Sequence, residues 1–149
     1  VFEVNKSIVR RFVEEVVNRG NLGAVDELLS PQYHHHAPLM SGLSGGREDA
    51  KRLYALLHAG FPDLEVRILH LVAEGEQVAL HSHWQGTHRG VFAGLAPSGC
   101  RLAFENLELL RLRQGLIVEH WSLLGYPQLL LYLHLQPAAA PQPPSAPRL

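Results

Sequence analysis

Near the start of the chain the apolar residues Ile8, Val9, Phe12, Val13, Val16 and Val17 recur every three or four positions, with Arg10, Arg11, Glu14 and Glu15 between them. A helix gathers such positions on one face, so the spacing predicts an amphipathic helix from Asn5 to a stop at Gly20. A second short helix fits Leu22 to Leu29, closed by Ser30-Pro31. A third fits Arg47 to His58, entered through Ser44-Gly45-Gly46 and left before Gly60 and Pro62. Beyond Asp63 the period changes to two. Leu64 to Ala73, Val78 to Gln85, Arg101 to Arg113 and Leu116 to Leu123 read as strands, with turns at Glu74-Gly75-Glu76 and Gln114-Gly115. These runs predict a four-stranded antiparallel meander. Tyr33 to His36 fits a short edge strand, and Gln128 to Leu135 a last short helix or strand. Helices first and a curved sheet afterwards is an α+β pattern, with one sheet face packed on the helices.

Alternate residues of a strand share a face, so parity selects what points inward. In the second long strand Val78, Leu80, Ser82 and Trp84 form the more apolar set, continuing past Gly86 toward His88. In the third, Phe104, Asn106, Glu108, Leu110 and Leu112 share a face, and in the last Leu116, Val118, His120, Ser122 and Leu124 do. If all three sets point to the helices, Asn106, Glu108, His120 and Ser122 stand in an otherwise apolar cavity. A carboxylate and an imidazole held together in a dry pocket are the minimum for proton transfer. A satisfied buried pair with no chemistry is the other reading of the same residues. The opposite face carries Leu107, Leu109 and Trp121, which predicts a homodimer through it, and also His81 and His83.

Composition narrows the partners. The 149 residues are 46% hydrophobic and 18% charged, which is the make-up of one packed domain. Lys plus Arg number 13 against 14 Asp plus Glu, so no general attraction to nucleic acid or to anionic membrane surface is expected. No apolar run approaches the ~20 residues that span a bilayer. A single cysteine, Cys100, excludes an internal disulfide and a Cys-rich zinc site and fits a cytoplasmic protein. His34-His35-His36 alternates faces in an extended strand, so the triplet is read as a polar edge strand; no metal site is expected. From Pro137 to Leu149 the chain is rich in Pro and Ala and reads as a tail after a domain of residues 1–136.

Four stretches carry a resemblance to a known family: Phe61-Pro62-Asp63-Leu64; Gly86-Thr87-His88-Arg89-Gly90; Gly94 with Pro97-Ser98-Gly99; and Gly115-Leu116-Ile117-Val118-Glu119-His120-Trp121. Over about Asn5 to Gln136 the chain resembles the SnoaL-like polyketide cyclases, also called ester cyclases, of the nuclear transport factor two superfamily. The resemblance implies a conical α+β barrel, with a strongly bent antiparallel sheet wrapped around three helices, a deep pocket and a homodimer. It also implies ring closure by intramolecular aldol condensation without cofactor or metal, a pocket aspartate serving as acid and base. Here the sequence departs from the family pattern, which places an acid directly after the tryptophan and another four residues beyond it. This chain has Ser122 and Gly125 there. A serine hydroxyl has no useful acidity near neutral pH. Two readings follow: Glu108 with His120 has taken over proton transfer, with Trp84, His88, Asn106 and Ser122 holding a small, largely apolar carbonyl compound, or the pocket binds such a molecule without catalysis. A dimeric interaction domain using its Pro-rich tail is a third reading.

Overall fold

In a computed structural model of the chain, residues 1–36, 44–123, 129, 131, 133 and 134 are described. Helix α1 (Phe2–Arg11) passes without a break into a π-helical stretch, Phe12–Asn18, so the single helix predicted to Gly20 changes pitch at Phe12. The wider turns keep Phe12, Val13, Val16 and Val17 all buried. Helix α2 (Gly23–Leu28) runs directly into β1 (Leu29–His35), and α3 spans Arg47–Gly60. The sheet continues with β2 (Glu65–Glu74), β3 (Gln77–Thr87), β4 (Arg101–Arg113) and β5 (Leu116–Ser122). Of the predicted last element, Leu129, Leu131, Leu133 and His134 are helical, while residues 137–149 lie outside the described ones.

The strand order is β1-β5-β4-β3-β2 in one open five-stranded sheet. β2 to β5 form the expected antiparallel meander. Its last hairpin turns on Gln114 and Gly115, both at positive φ (51° and 78°), the conformation whose twist matches that of paired strands. β1 corrects the all-antiparallel expectation: it lies parallel to β5, with His34 opposite Glu119 and His35 opposite His120. A parallel pair cannot be joined by a tight turn, and here 80 residues separate the end of β1 from the start of β5, so no local pattern announces it.

The inner sheet face packs on α1, its π-helical extension and α3 through a core that includes Phe12, Val16, Tyr54, Leu57, Leu80, Leu110 and Ile117. Ile117 brings a second correction. Leu116 and Val118 were expected to share the inward face with His120, yet Ile117 is the fully buried residue. The register shifts between Arg111 and Leu112: Arg111 faces Glu119 whereas Leu112 faces Ile117, leaving Val118 as the extra residue. Such a bulge reverses parity on one side of itself and leaves it intact on the other, so His120 and Ser122 keep their inward direction. Leu107, Leu109 and Trp121 lie on the outer face as expected, Leu107 being the most exposed of the three.

Candidate active site

Between α3 and the inner sheet face lies a cavity of about 650 Å³, counting its mouth. One part of its wall is apolar: Leu53 and Leu57 from α3, then Leu64, Leu102, Leu129, Trp84 and Phe104. The Trp84 and Phe104 side chains are cross-strand neighbours whose rings lie nearly parallel, 5.9 Å between centres. The other part is polar, formed by His35, Tyr54, Asn106, Glu108, His120 and Ser122. Strand parity thus brings Glu108, His120, Asn106, Ser122 and Trp84 together, the grouping expected from the sequence.

Within that group the contacts form two sets. His120 Nε2 stands 2.9 Å from Glu108 Oε1, and His120 Nδ1 stands 3.0 Å from Tyr33 Oη. His120 is 1% exposed and Glu108 9%, so this pair exchanges little with bulk water. With Glu108 as a carboxylate, which only accepts, and a neutral His120, the proton sits on Nε2 and Nδ1 accepts the Tyr33 O–H. Burial, reinforced by the charge of Glu108, pushes the phenols of both Tyr33 and Tyr54 well above their ordinary range. Both therefore stay protonated near neutral pH and present donors. Trp84 Nε1–H donates to Ser82 Oγ at 3.0 Å, and Ser82 Oγ lies 3.5 Å from Glu108 Oε2. In the second set, Asn106 Nδ2 donates to Ser122 Oγ at 2.9 Å, a neutral amide and hydroxyl side by side.

The two sets are tied by register. Glu108 and Ser122 face each other directly across the β4–β5 ladder. A carboxylate at 108 therefore enters the same part of the cavity as one at 122 would, from the neighbouring strand.

Three residues depart from the sequence expectation. His88, expected to hold substrate, is buried but does not line the cavity. β3 ends at Thr87, and beyond it His88 N–H donates to the Cys100 carbonyl while the Gly99 N–H donates to the His88 carbonyl. The imidazole instead lies 2.9 Å from Ser98 Oγ and against the Phe61 ring, so the alternation that aims Trp84 inward carries His88 into the base of the β3–β4 connection. His35 and Tyr33 are additions. Alternation separated His35 from His34 and His36, but only the pairing with β5 turns it inward, its ring 4.3 Å from that of His120. Its neighbours stay outside, where His36 stacks on Trp121 and lies 3.1 Å from Glu119. Tyr33, in the predicted edge strand, joins the site through its hydroxyl's contact with His120.

Among the described residues no group of three or more His, Cys, Asp or Glu side chains is arranged to hold a metal ion, and no helix is long and apolar enough to cross a membrane.

Comparison with known proteins bears on this geometry. A curated relative, nogalonic acid methyl ester cyclase from Streptomyces nogalater, is 29% identical over 105 residues, covering 69% of this chain and 78% of the relative. A structure from Jannaschia sp. CCS1, assigned as a candidate SnoaL-like polyketide cyclase, superposes with a TM-score of 0.79 at 25% identity over 95% of this chain and 96% of the other. IdmH from Streptomyces antibioticus, a candidate polyketide cyclase, gives a TM-score of 0.72 at 28% identity, covering 88% of this chain and 99% of its own. AclR from Streptomyces galilaeus, a candidate hydroxylase, gives 0.75 at 28% identity, covering 92% and 89%. The family model of the SnoaL-like polyketide cyclases matches residues 7–131, a span that contains every residue of the two hydrogen-bonded sets, and the chain belongs to that family.

Proposed function

We infer that the chain is a cyclase acting without cofactor on a small, largely apolar carbonyl compound, of the ester-bearing kind named for its nogalonic acid methyl ester relative. The observation that carries this reading is the buried Glu108–His120 pair, 2.9 Å apart, opening onto an apolar cavity from the ladder position opposite Ser122. Intramolecular aldol closure is redox-neutral, so it calls for one proton acceptor, one proton donor and a stabilised oxygen. In this reading Glu108 removes a proton from the carbon beside a carbonyl, His120 holding the carboxylate in place through Nε2–H. The resulting enolate oxygen is met by the neutral donors at Asn106 and Ser122, which favour developing charge without carrying one. The enolate carbon attacks the second carbonyl, and the proton held by Glu108 passes to the alkoxide so formed. The apolar wall of Trp84, Phe104, Leu57 and Leu102 folds the chain of the substrate and keeps water out.

Glu108→Gln keeps the side-chain shape and an acceptor for His120 but removes the base. Turnover of an ester-bearing polyketide should fall by about 10²–10⁴-fold. Binding, followed by quenching of Trp84 fluorescence, should stay within about threefold, a change of under 1 kcal/mol. A Glu108→Gln protein that turns over at the wild-type rate refutes the assignment. Wild-type protein that binds such compounds and never converts them makes the chain a binding protein.

A further inference from the structure

Helix α3 buries Ala50, Tyr54 and Leu57, a stripe at helical spacing. Of these three only Tyr54 has a polar end, and it is 5% exposed. Its ring stands edge-on against Phe12, 5.7 Å between centres at 79°, and the residue lines the reaction cavity with Leu53 and Leu57. Among the described residues the Tyr54 hydroxyl has no hydrogen-bond partner, whereas the equally buried Tyr33 hydroxyl has His120. His88 Nε2 is, among the described residues, the one side-chain polar atom both sealed from solvent and without a partner, so the Tyr54 oxygen is open to the cavity that its residue lines. Tyr54 also borders a small adjoining recess, but Glu108, whose charge acts on the phenol, lines only the reaction cavity. An O–H taken out of bulk water and left without a protein acceptor costs free energy, and the acceptor that satisfies it is one that enters the cavity.

We propose that Tyr54 is a further catalytic residue, its hydroxyl donating to the oxygen of the carbonyl under attack, on the side of the substrate opposite Asn106 and Ser122. The proposal rests on the reading of the chain as a carbonyl cyclase. Asn106, Glu108 and Ser122 stand on β4 and β5 whereas Tyr54 comes from α3, so a substrate between helix and sheet meets donors on both sides. Ring closure needs two oxygens held at once, that of the enolate and that of the electrophile. With the enolate oxygen at Asn106 and Ser122, the unengaged phenol meets the other. As the new C–C bond forms, the π pair of the attacked carbonyl becomes a lone pair of the alkoxide, and the Tyr54 O–H stabilises the charge that develops there. The alkoxide then takes from Glu108 the proton that was removed from carbon, and Tyr54 keeps its own. Burial and the charge of Glu108 hold the phenol in its protonated form, which suits a donor that is not itself an acid.

Tyr54→Phe removes the hydroxyl and keeps the ring against Phe12. No protein hydrogen bond is lost, so its urea midpoint should equal or exceed that of wild type. With an ester-bearing polyketide, kcat should fall about 10²–10³-fold. The Kd from Trp84 quenching should stay within about tenfold, the reach of one ordinary hydrogen bond. A second readout needs no turnover. A methyl naphthyl ketone, isotopically labelled at its carbonyl carbon, is bound to each protein and its C=O stretch recorded by difference infrared spectroscopy. A hydrogen bond weakens the carbonyl, so the band should lie at lower frequency in wild type than in Tyr54→Phe. An unchanged kcat, an unchanged carbonyl band or a lowered urea midpoint in Tyr54→Phe overturns the assignment. Wild-type protein that shows the band difference yet converts no substrate fails the cyclase reading while the Tyr54 contact stands, so the two failures are told apart.

Discussion

Replacing Ser122 by Asp returns an acid to the position after Trp121, directly across the ladder from Glu108. Facing side chains on such a pair have Cβ atoms about 5 Å apart. Two carboxylates at that separation repel by about 3 kcal/mol at an effective dielectric constant near 20. Asn106 Nδ2, which donates to Ser122 Oγ at 2.9 Å, is placed to donate to the introduced oxygen. That charge-assisted bond returns about 1 kcal/mol, leaving a net loss of about 2 kcal/mol at pH 7. The same repulsion lifts the introduced carboxyl above its value in the unfolded chain. A carboxyl whose folded value is raised binds its proton more tightly in the native state. The penalty is therefore absent below the unfolded value, where the carboxyl is protonated in both states, grows as pH rises from the unfolded to the raised folded value, and is constant above that. Urea unfolding should show Ser122→Asp about 2 kcal/mol below wild type at pH 7 and a smaller loss at pH 4.5. In the Glu108→Gln background the repulsion vanishes, so the double-mutant cycle should give a coupling of about 3 kcal/mol. Additive losses, or a Ser122→Asp penalty equal at both pH values, would refute the placement of the two side chains against each other.

Other consequences are checked by thermal or urea unfolding. Phe92 and Leu95 exchange backbone bonds of 3.1 and 2.8 Å around Ala93 and Gly94, both at positive φ (52° and 75°). Ala93→Asn should raise stability by about 0.5–1 kcal/mol, because Asn tolerates that conformation better than Ala. At Gly90 a Cβ would stand 1.9 Å from the Ala59 carbonyl oxygen, so Gly90→Ala should cost about 2 kcal/mol or more. Burial alone would raise the Asp63 carboxyl, but the Thr87 hydroxyl and N–H donate to it at 2.8 and 2.7 Å and outweigh that, holding it below its ordinary range. Asp63→Asn should therefore lower stability at pH 7, the difference disappearing as pH falls through the lowered value, with a magnitude under about 1 kcal/mol for so exposed a group. The homodimer expected from outward Leu107, Leu109 and Trp121 is tested by light scattering, and a monomer at micromolar concentration removes it.

The alternation of side chains along β3, β4 and β5 was enough to assemble Trp84, Asn106, Glu108, His120 and Ser122, because strand parity is a local property that survives errors of a residue or two at strand ends. The same holds for the turn at Gln114-Gly115, where the residues themselves favour the required φ. Parity, however, carries no information on where it is interrupted. The bulge at Val118 exchanged Ile117 for Leu116 and Val118 in the core, and the end of β3 at Thr87 took His88 away from the cavity. Nor does a local pattern hold the contacts between distant segments. Tyr33 reaches His120 across 87 positions of sequence, and His35 turns inward because β1 closes parallel against β5. Helix α3 supplies Leu53, Leu57 and Tyr54 to the cavity by the way it lies across the sheet, although its own periodicity announces only that one face is buried. The sequence alone thus determined that Glu108 and His120 share the inward strand face, since that follows from near-neighbour geometry. Tertiary structure decided which residues surround that pair, since the free energy of long-range packing selects the pairing of distant segments.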